Sequence, residues 1–316
     1  MKLIAAVAQA ATVLFDTPAS VERALGLMDD AAACGAQLLV FPEAFVGGYP
    51  KGADFHIYLG GRTPAGRAEF KLYFDAAVSV DGPEIARLAE AAARHRLYAV
   101  VGIIERDGGT LYCTAVYLGP QGQILGKHRK LMPTALERLV WGFGDGSTLK
   151  AVDTPFGRLG AVIGWENYMP ALRMAMYQQR VALYCMPTAD DRDSWASTAR
   201  HIALEGRCFV LSACQHLRRA QFPADRMCNK LPEAPDTVLM RGGSLIVDPF
   251  GKVLAGPVYD EDALLTAELD MDAIPMAQMD FDVVGHYARP DVFSLQVNTA
   301  PQHAVVFGPD GAASHG

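Results

Sequence analysis

The chain has 316 residues, 51% of them hydrophobic, enough to bury a large core as one big α/β unit or two small ones. Its 28 basic and 35 acidic residues leave a formal charge of −7, and the basic residues are scattered. That excludes an electrostatic footprint for nucleic acid or an anionic membrane surface, and leaves a small molecule or another copy of the chain as the expected partner. Six cysteines (Cys34, Cys113, Cys185, Cys208, Cys214 and Cys228) lie far apart with no C-x-x-C pair. This is the pattern of reduced core thiols in a cytoplasmic protein, not of a disulfide scaffold or a zinc site.

In chain order, Lys2 precedes an apolar run over residues 3–15, and Ala8 and Ala10 imitate a cleavage site. Gln9 interrupts the run, there is a single positive charge, and Asp16-Thr17-Pro18 opens a helix instead. The run is therefore read as a first buried strand. No apolar stretch approaches the roughly 20 residues needed to span a bilayer, so a soluble protein is expected. After Pro18, Val21, Ala24, Leu25, Met28 and Ala32 follow helical spacing, and Gly35 supplies a stop. Leu38-Leu39-Val40-Phe41 reads as a fully buried strand. A helix after Pro83 carries Ile85, Leu88, Ala89 and Ala92, and strands are predicted over 98–104 and, beyond the turn Asp107-Gly108-Gly109, over 111–118.

Further strands are predicted over 124–130, 159–163, 183–186 and 209–212, with a helix around 195–207 and a hairpin over 242–254 turning at Asp248-Pro249-Phe250-Gly251. Helices alternating with buried strands predict a layered α/β protein, and the hairpins make its sheets mixed instead of purely parallel. No repeat, charge block or low-complexity segment divides the chain, so residues 1–300 are read as one unit. Residues 218–239, with Pro223, Asn229, Pro232 and Pro235, lack periodicity and are expected to form a long surface loop; residues 301–316 are expected to be a mobile tail.

Three strand ends carry chemistry. Glu43 follows an apolar strand and precedes Ala44-Phe45-Val46-Gly47-Gly48-Tyr49-Pro50, so it must be paired or its pKa will rise. Lys130 closes Gly126-Lys127-His128-Arg129-Lys130, and Gly164-Trp165-Glu166 closes the strand over 159–163. Ligands gather at the carboxyl ends of strands in α/β sheets, so the three ends are expected in one pocket. Taken singly, each residue has a plainer explanation. Glu43 and Lys130 fit a structural ion pair, Gly164 a bend, and Trp165 a core aromatic.

Together, these blocks resemble the nitrilase superfamily, and within it the true nitrilases. The resemblance is carried by Phe41-Pro42-Glu43-Ala44-Phe45 with Gly47-Gly48-Tyr49-Pro50, by His128-Arg129-Lys130-Leu131-Met132-Pro133-Thr134, and by Gly164-Trp165-Glu166-Asn167-Tyr168-Met169-Pro170. Glu137-Arg138-Leu139-Val140-Trp141-Gly142, Pro187-Thr188-Ala189-Asp190-Asp191-Arg192-Asp193 and residues 201–208 support it, and the blocks keep the family's order. It implies a four-layer αββα sandwich with mixed sheets. Glu43 is then the general base, Lys130 the cation that stabilises charge on the substrate, and Glu137 a second carboxylate of the site, its plainer role being only to position Lys130. Tyr49, Thr134, Trp165 and Pro187 are expected to line the pocket. No metal or organic cofactor is implied. Family members pair into homodimers or larger homo-oligomers, some of them spirals.

The family's nucleophilic cysteine falls at Gly164. Trp165-Glu166 after that position is similar to nitrilases more than to the amidase branches. The implied chemistry needs a thiolate, made by a carboxylate that accepts its proton, because a nitrile carbon is a poor electrophile. Glycine cannot form the covalent intermediate, so the chain is expected to be an inactive form of a nitrilase. Cys185, nearest in the pattern, lies inside a buried strand and reads as a core residue and not as a substitute nucleophile. Since the other members are intact, the site reads as one whose nucleophile was replaced and not as one that decayed. An amidase of the same superfamily and a non-catalytic ligand-binding relative are the alternatives.

Overall fold

A computed structural model describes residues 1–223 and 231–305. In chain order the first half runs β1 (Lys2–Gln9), α1 (Thr17–Ala33), β2 (Leu38–Val40), α2 (Pro64–Ala76), α3 (Pro83–His95), β3 (Tyr98–Asp107), β4 (Thr110–Leu118) and β5 (Ile124–Arg129). The second half runs β6 (Val152–Thr154), β7 (Gly157–Ala161), α4 (Pro170–Gln178), β8 (Val181–Thr188), α5 (Asp193–Gly206), β9 (Phe209–Cys214), β10 (His216–Arg218), β11 (Val238–Val247), β12 (Val253–Tyr259), β13 (Ala263–Asp270) and α6 (Ala273–Asp280).

Two mixed sheets result. The first has the order β13-β1-β2-β3-β4-β5, with β1, β2 and β3 mutually parallel and the outer pairings antiparallel. The second has the order β10-β11-β9-β8-β7-β6, with β12 also on β11, and its parallel centre is β7, β8 and β9. Parallel neighbours need a crossover, and α1 supplies the one between β1 and β2. Its start is set locally: the Asp16 side chain accepts from the Ala19 amide at 3.0 Å, and proline occupies the first turn.

Strand alternation decides which sheet face meets what. Leu3, Ala5 and Val7 on β1, Cys113, Ala115 and Tyr117 on β4, and Leu183 and Cys185 on β8 belong to one buried cluster between the sheets. The intervening residues point outward. Ala6, Ala8 and Leu39 pack on Val21, Ala24 and Met28 of α1 and Ile85 and Leu88 of α3, while Tyr184, Met186 and Val210 pack on Met176 of α4 and Trp195 and Ile202 of α5. Three clusters between four layers make the αββα sandwich. Each fully buried Leu, Ile or Val contributes roughly 1.5–3 kcal/mol of burial.

Several elements differ from the sequence reading. The first strand stops at Gln9, where its pairing with β13 ends at Ala263, and the buried Gln9 amide bonds the Val258 and Glu261 carbonyls and accepts from the Ser244 N–H. Helices α2, α4 and α6 and strands β6, β10 and β13 are additions to the predicted elements. In α2 only Gly66, Tyr73 and Ala76 are buried, too few for an apolar face to stand out. Of the loop expected over 218–239, residues 219–223 and 231–237 carry no strand, but Arg218 and residues from Val238 onward belong to β10 and β11; residues 224–230 lie outside the described residues. Most of the expected mobile tail, residues 306–316, likewise lies outside them.

Candidate active site

Glu43 stands where the chain leaves β2 and crosses the top of β3. Phe41 N donates to Val100 O at 2.8 Å and Val46 N to Gly102 O at 3.0 Å, so the segment lies directly on β3. Only glycine allows that approach at 102, since a Cβ there would sit 2.0 Å from Pro42 O. The result is a carboxylate 2% exposed, with its backbone carbonyl held by Gln215 Nε2 at 3.0 Å.

Lys130 follows β5 and is pinned on both sides, its N–H to Cys113 O at 2.8 Å and its carbonyl to Gly144 N at 2.8 Å. Its ammonium donates to Glu43 Oε1 at 2.6 Å and to Glu137 Oε2 at 2.8 Å. Glu137 sits on a short 3₁₀ turn (Ala135–Leu139) and its carboxylate is held from two further sides, by Thr134 N at 2.7 Å and by the Tyr49 hydroxyl at 2.7 Å. One cation thus lies between two carboxylates. Burial pushes the Glu43 carboxyl above its ordinary value, with the Glu137 charge adding to that rise and the attraction of Lys130 only partly offsetting it. Lys130 shifts the other way: desolvation works against its charge, but the facing Glu43 and Glu137 outweigh it and hold the ammonium protonated. Burial and the same two carboxylates raise the Tyr49 phenol, which keeps it a donor.

Gly164 opens a 3₁₀ turn (Gly164–Tyr168) just beyond β7, and its φ of +54° is one that side-chain-bearing residues rarely adopt. The Asn167 amide donates to both Val162 O and Gly164 O at 2.8 Å, which ties the turn to its own strand. A Cβ at 164 would lie 2.9 Å from Glu43 Oε2 and 3.2 Å from Lys130 Nζ. Any side chain at this position is therefore aimed between Glu43 and Lys130.

These groups open into a cavity of about 260 Å³ whose lining includes Glu43, Tyr49, Lys130, Thr134, Glu137, Gly164 and Trp165. Pro187 is not part of that lining: it is buried in β8, and the wall is made by the residues after it, Thr188 to Arg192. Sequence reasoning missed Lys51 and Thr188 to Arg192 as lining residues, although the block around Asp190 is one of the motifs that carry the resemblance. Trp165 is half exposed at the rim, where its indole N–H donates to Asp190 Oδ2 at 2.7 Å and Arg192 stacks 4.7 Å from the ring centroid. Burial opposes the Asp190 charge, but hydrogen bonds from Arg192 and Trp165 outweigh it and hold the carboxyl below its usual range. Cys185 packs in the core between the sheets, as a strand cysteine should, and its thiol is raised by burial. The thiol beside the charges is instead Cys113, whose Sγ is 3.5 Å from Glu43 Oε1. Alternation along β4 is the signal that points it inward.

A carboxylate and a lysine at strand ends of an αββα sandwich, with a second carboxylate on the turn that follows the lysine, define the class. Residues 4–277 match the family description carbon-nitrogen hydrolase, and the chain belongs to that family. Within it the similarity runs to the nitrilases. The chain is 63% identical over 305 residues to an aliphatic nitrilase of Sinorhizobium fredii, covering 96% of this chain and 98% of that one. It is 56% identical over 301 residues to a nitrilase of Bradyrhizobium diazoefficiens, covering 95% and 94%. Among solved structures, a carbon-nitrogen hydrolase from Helicobacter pylori G27 aligns with a TM-score of 0.72 at 18% identity, over 92% of this chain and 97% of that one, which speaks for the shared fold.

Proposed function

We propose that this is a nitrilase site, built to convert an organic nitrile to its carboxylic acid and ammonia through a thiol at position 164. We further propose that the chain with Gly164 holds nitriles or acids without turning them over. The observation that carries the reading is the direction of a side chain at 164, between Glu43 Oε2 and Lys130 Nζ. The names of the relatives at 63% and 56% identity favour nitriles over amides as substrate.

In this reading Glu43 takes the thiol proton and the thiolate adds to the nitrile carbon. The electron pair of the C≡N bond moves to nitrogen, where the Lys130 ammonium and the Trp165 backbone N–H stabilise it. A first water converts the thioimidate to a thioester as ammonia leaves, and a second water releases the acid and restores the thiol. Glu43 and Glu137, in unequal surroundings, serve the successive proton transfers. With glycine at 164 no covalent intermediate forms, while the cavity and its charges persist.

The deciding experiment is ammonia release from a panel of aliphatic and aromatic nitriles by the protein and by Gly164→Cys. Turnover only by the cysteine form is expected; equal turnover by both would remove position 164 from the mechanism. We also propose that residues 1–300 act as one catalytic unit that pairs into a cytoplasmic homodimer or larger homo-oligomer. Among the described residues no helix is long and apolar enough to cross a membrane. A single monomeric species in sedimentation across a wide concentration range would count against the assembly.

A further inference from the structure

We infer that Glu166 is a positioning residue whose buried carboxylate locks together the two backbone segments that carry Lys130 and position 164. This rests on the reading of 164 as the nucleophile position. Glu166 is 1% exposed. Its Oε1 accepts from Ile163 N at 2.7 Å and from His128 Nε2 at 2.7 Å, and its Oε2 accepts from Leu131 N at 2.8 Å. Two of these donors are therefore the backbone N–H groups of the residue just before Gly164 and of the residue just after Lys130.

The two segments belong to different sheets, since β5 ends the first and β7 lies in the second. Strand pairing therefore does not fix one against the other, and side-chain packing between sheets tolerates small slips. Catalysis does not: a misplacement of about 1 Å can cost about 10²-fold in rate. A carboxylate accepting from both backbones sets that distance directly. His128, buried at the end of β5 with its Nδ1 unpartnered, adds a third donor on the Lys130 side.

Chemistry also argues against a role in stability alone. A carboxyl group closed to water is costly unless it is hydrogen-bonded, and the partners it has are two backbone N–H groups and the His128 ring. An apolar side chain of similar volume would fill the space at lower cost but would accept from neither peptide. Glutamine would turn an NH₂ group toward at least one N–H donor, and aspartate would be one methylene short of spanning the gap.

The test uses the Gly164→Cys protein, alone and with Glu166→Gln or Glu166→Asp. Two readouts are taken: kcat and KM on butyronitrile, and the pH dependence of iodoacetamide alkylation of the thiol introduced at position 164, followed by mass spectrometry. Glu166→Gln is expected to lower kcat about 10²-fold with KM little changed and to move the alkylation profile to higher pH, because Lys130 no longer faces the thiolate. If that variant does not fold, Glu166→Asp, which keeps the carboxylate but is too short to reach both backbones, is read the same way. A folded variant with unaltered kcat and unaltered alkylation profile overturns the inference. If Gly164→Cys turns over no nitrile but its alkylation profile still shifts on substitution of Glu166, the nitrilase reading fails and the positioning role stands; without the shift, that role falls too.

Discussion

Lys130 Nζ stands 2.6 Å from Glu43 Oε1 with both side chains nearly closed to water, at 2% and 1% exposure. Neither charge is tolerable there alone, and Glu137 on the other side of the ammonium makes the cation common to two acids. Removing the cation by Lys130→Met leaves two carboxylates facing each other in a dry site. A loss of about 3–5 kcal/mol at neutral pH is expected, read from denaturant midpoints. A loss within experimental error would mean that water already solvates the pair.

The same burial predicts the acidic limb of the Gly164→Cys pH profile. Glu43 must be ionised to take a proton, and desolvation followed by the Glu137 charge lifts its carboxyl above the ordinary 4.5 in spite of Lys130. Activity should therefore fall on acidification at a pH above that of a free glutamate. Measured as kcat/KM against pH, a limb at or below 4.5 would contradict the raised carboxyl.

Position 164 is strained for any residue but glycine. Gly164→Ala adopts φ near +54° and brings a methyl 2.9 Å from Glu43 Oε2, so a destabilisation of about 1–2 kcal/mol is expected, with no gain of turnover. Gly164→Cys meets the same strain yet, on the proposed mechanism, supplies the nucleophile. Comparing thermal midpoints and ammonia release of the two variants separates backbone cost from chemistry. An alanine variant as stable as the parent would show that the turn relaxes.

Away from the cavity, Glu105 gives an acid-sensitive contribution to stability. It accepts from Arg129 at 2.6 and 2.9 Å and from Thr114 at 2.8 Å, and pairs with Lys127. Burial opposes its charge, but Arg129 and Lys127 outweigh that and lower its carboxyl below 4.5. A depressed carboxyl contributes stability that is present above the unfolded pKa and lost as pH falls through the folded one. Glu105→Gln should therefore be least stable relative to the parent at neutral pH, with the gap narrowing below pH 4.5. Denaturant midpoints at several pH values check this, and a gap independent of pH would refute it.

What the sequence determined by itself was local. Alternation of apolar runs marked most strands, helical spacing marked α1, α3 and α5, and the strand ends announced Glu43, Lys130 and Gly164 as chemistry out of place in a core. Helices such as α2 and strands such as β6 and β10 stayed hidden because short or weakly patterned segments take their structure from the surface they pack on. Period-two patterning states that a residue faces inward; it does not state which sheet it meets. Only the stacking of β7's sheet on β5's sheet brought Gly164 to Glu43 and Lys130 and carried the cavity wall past Pro187 to Asp190 and Arg192. The same stacking gave Glu166 two backbones to hold, because contacts between residues far apart in the chain depend on how layers are superposed, and no window of sequence contains that distance.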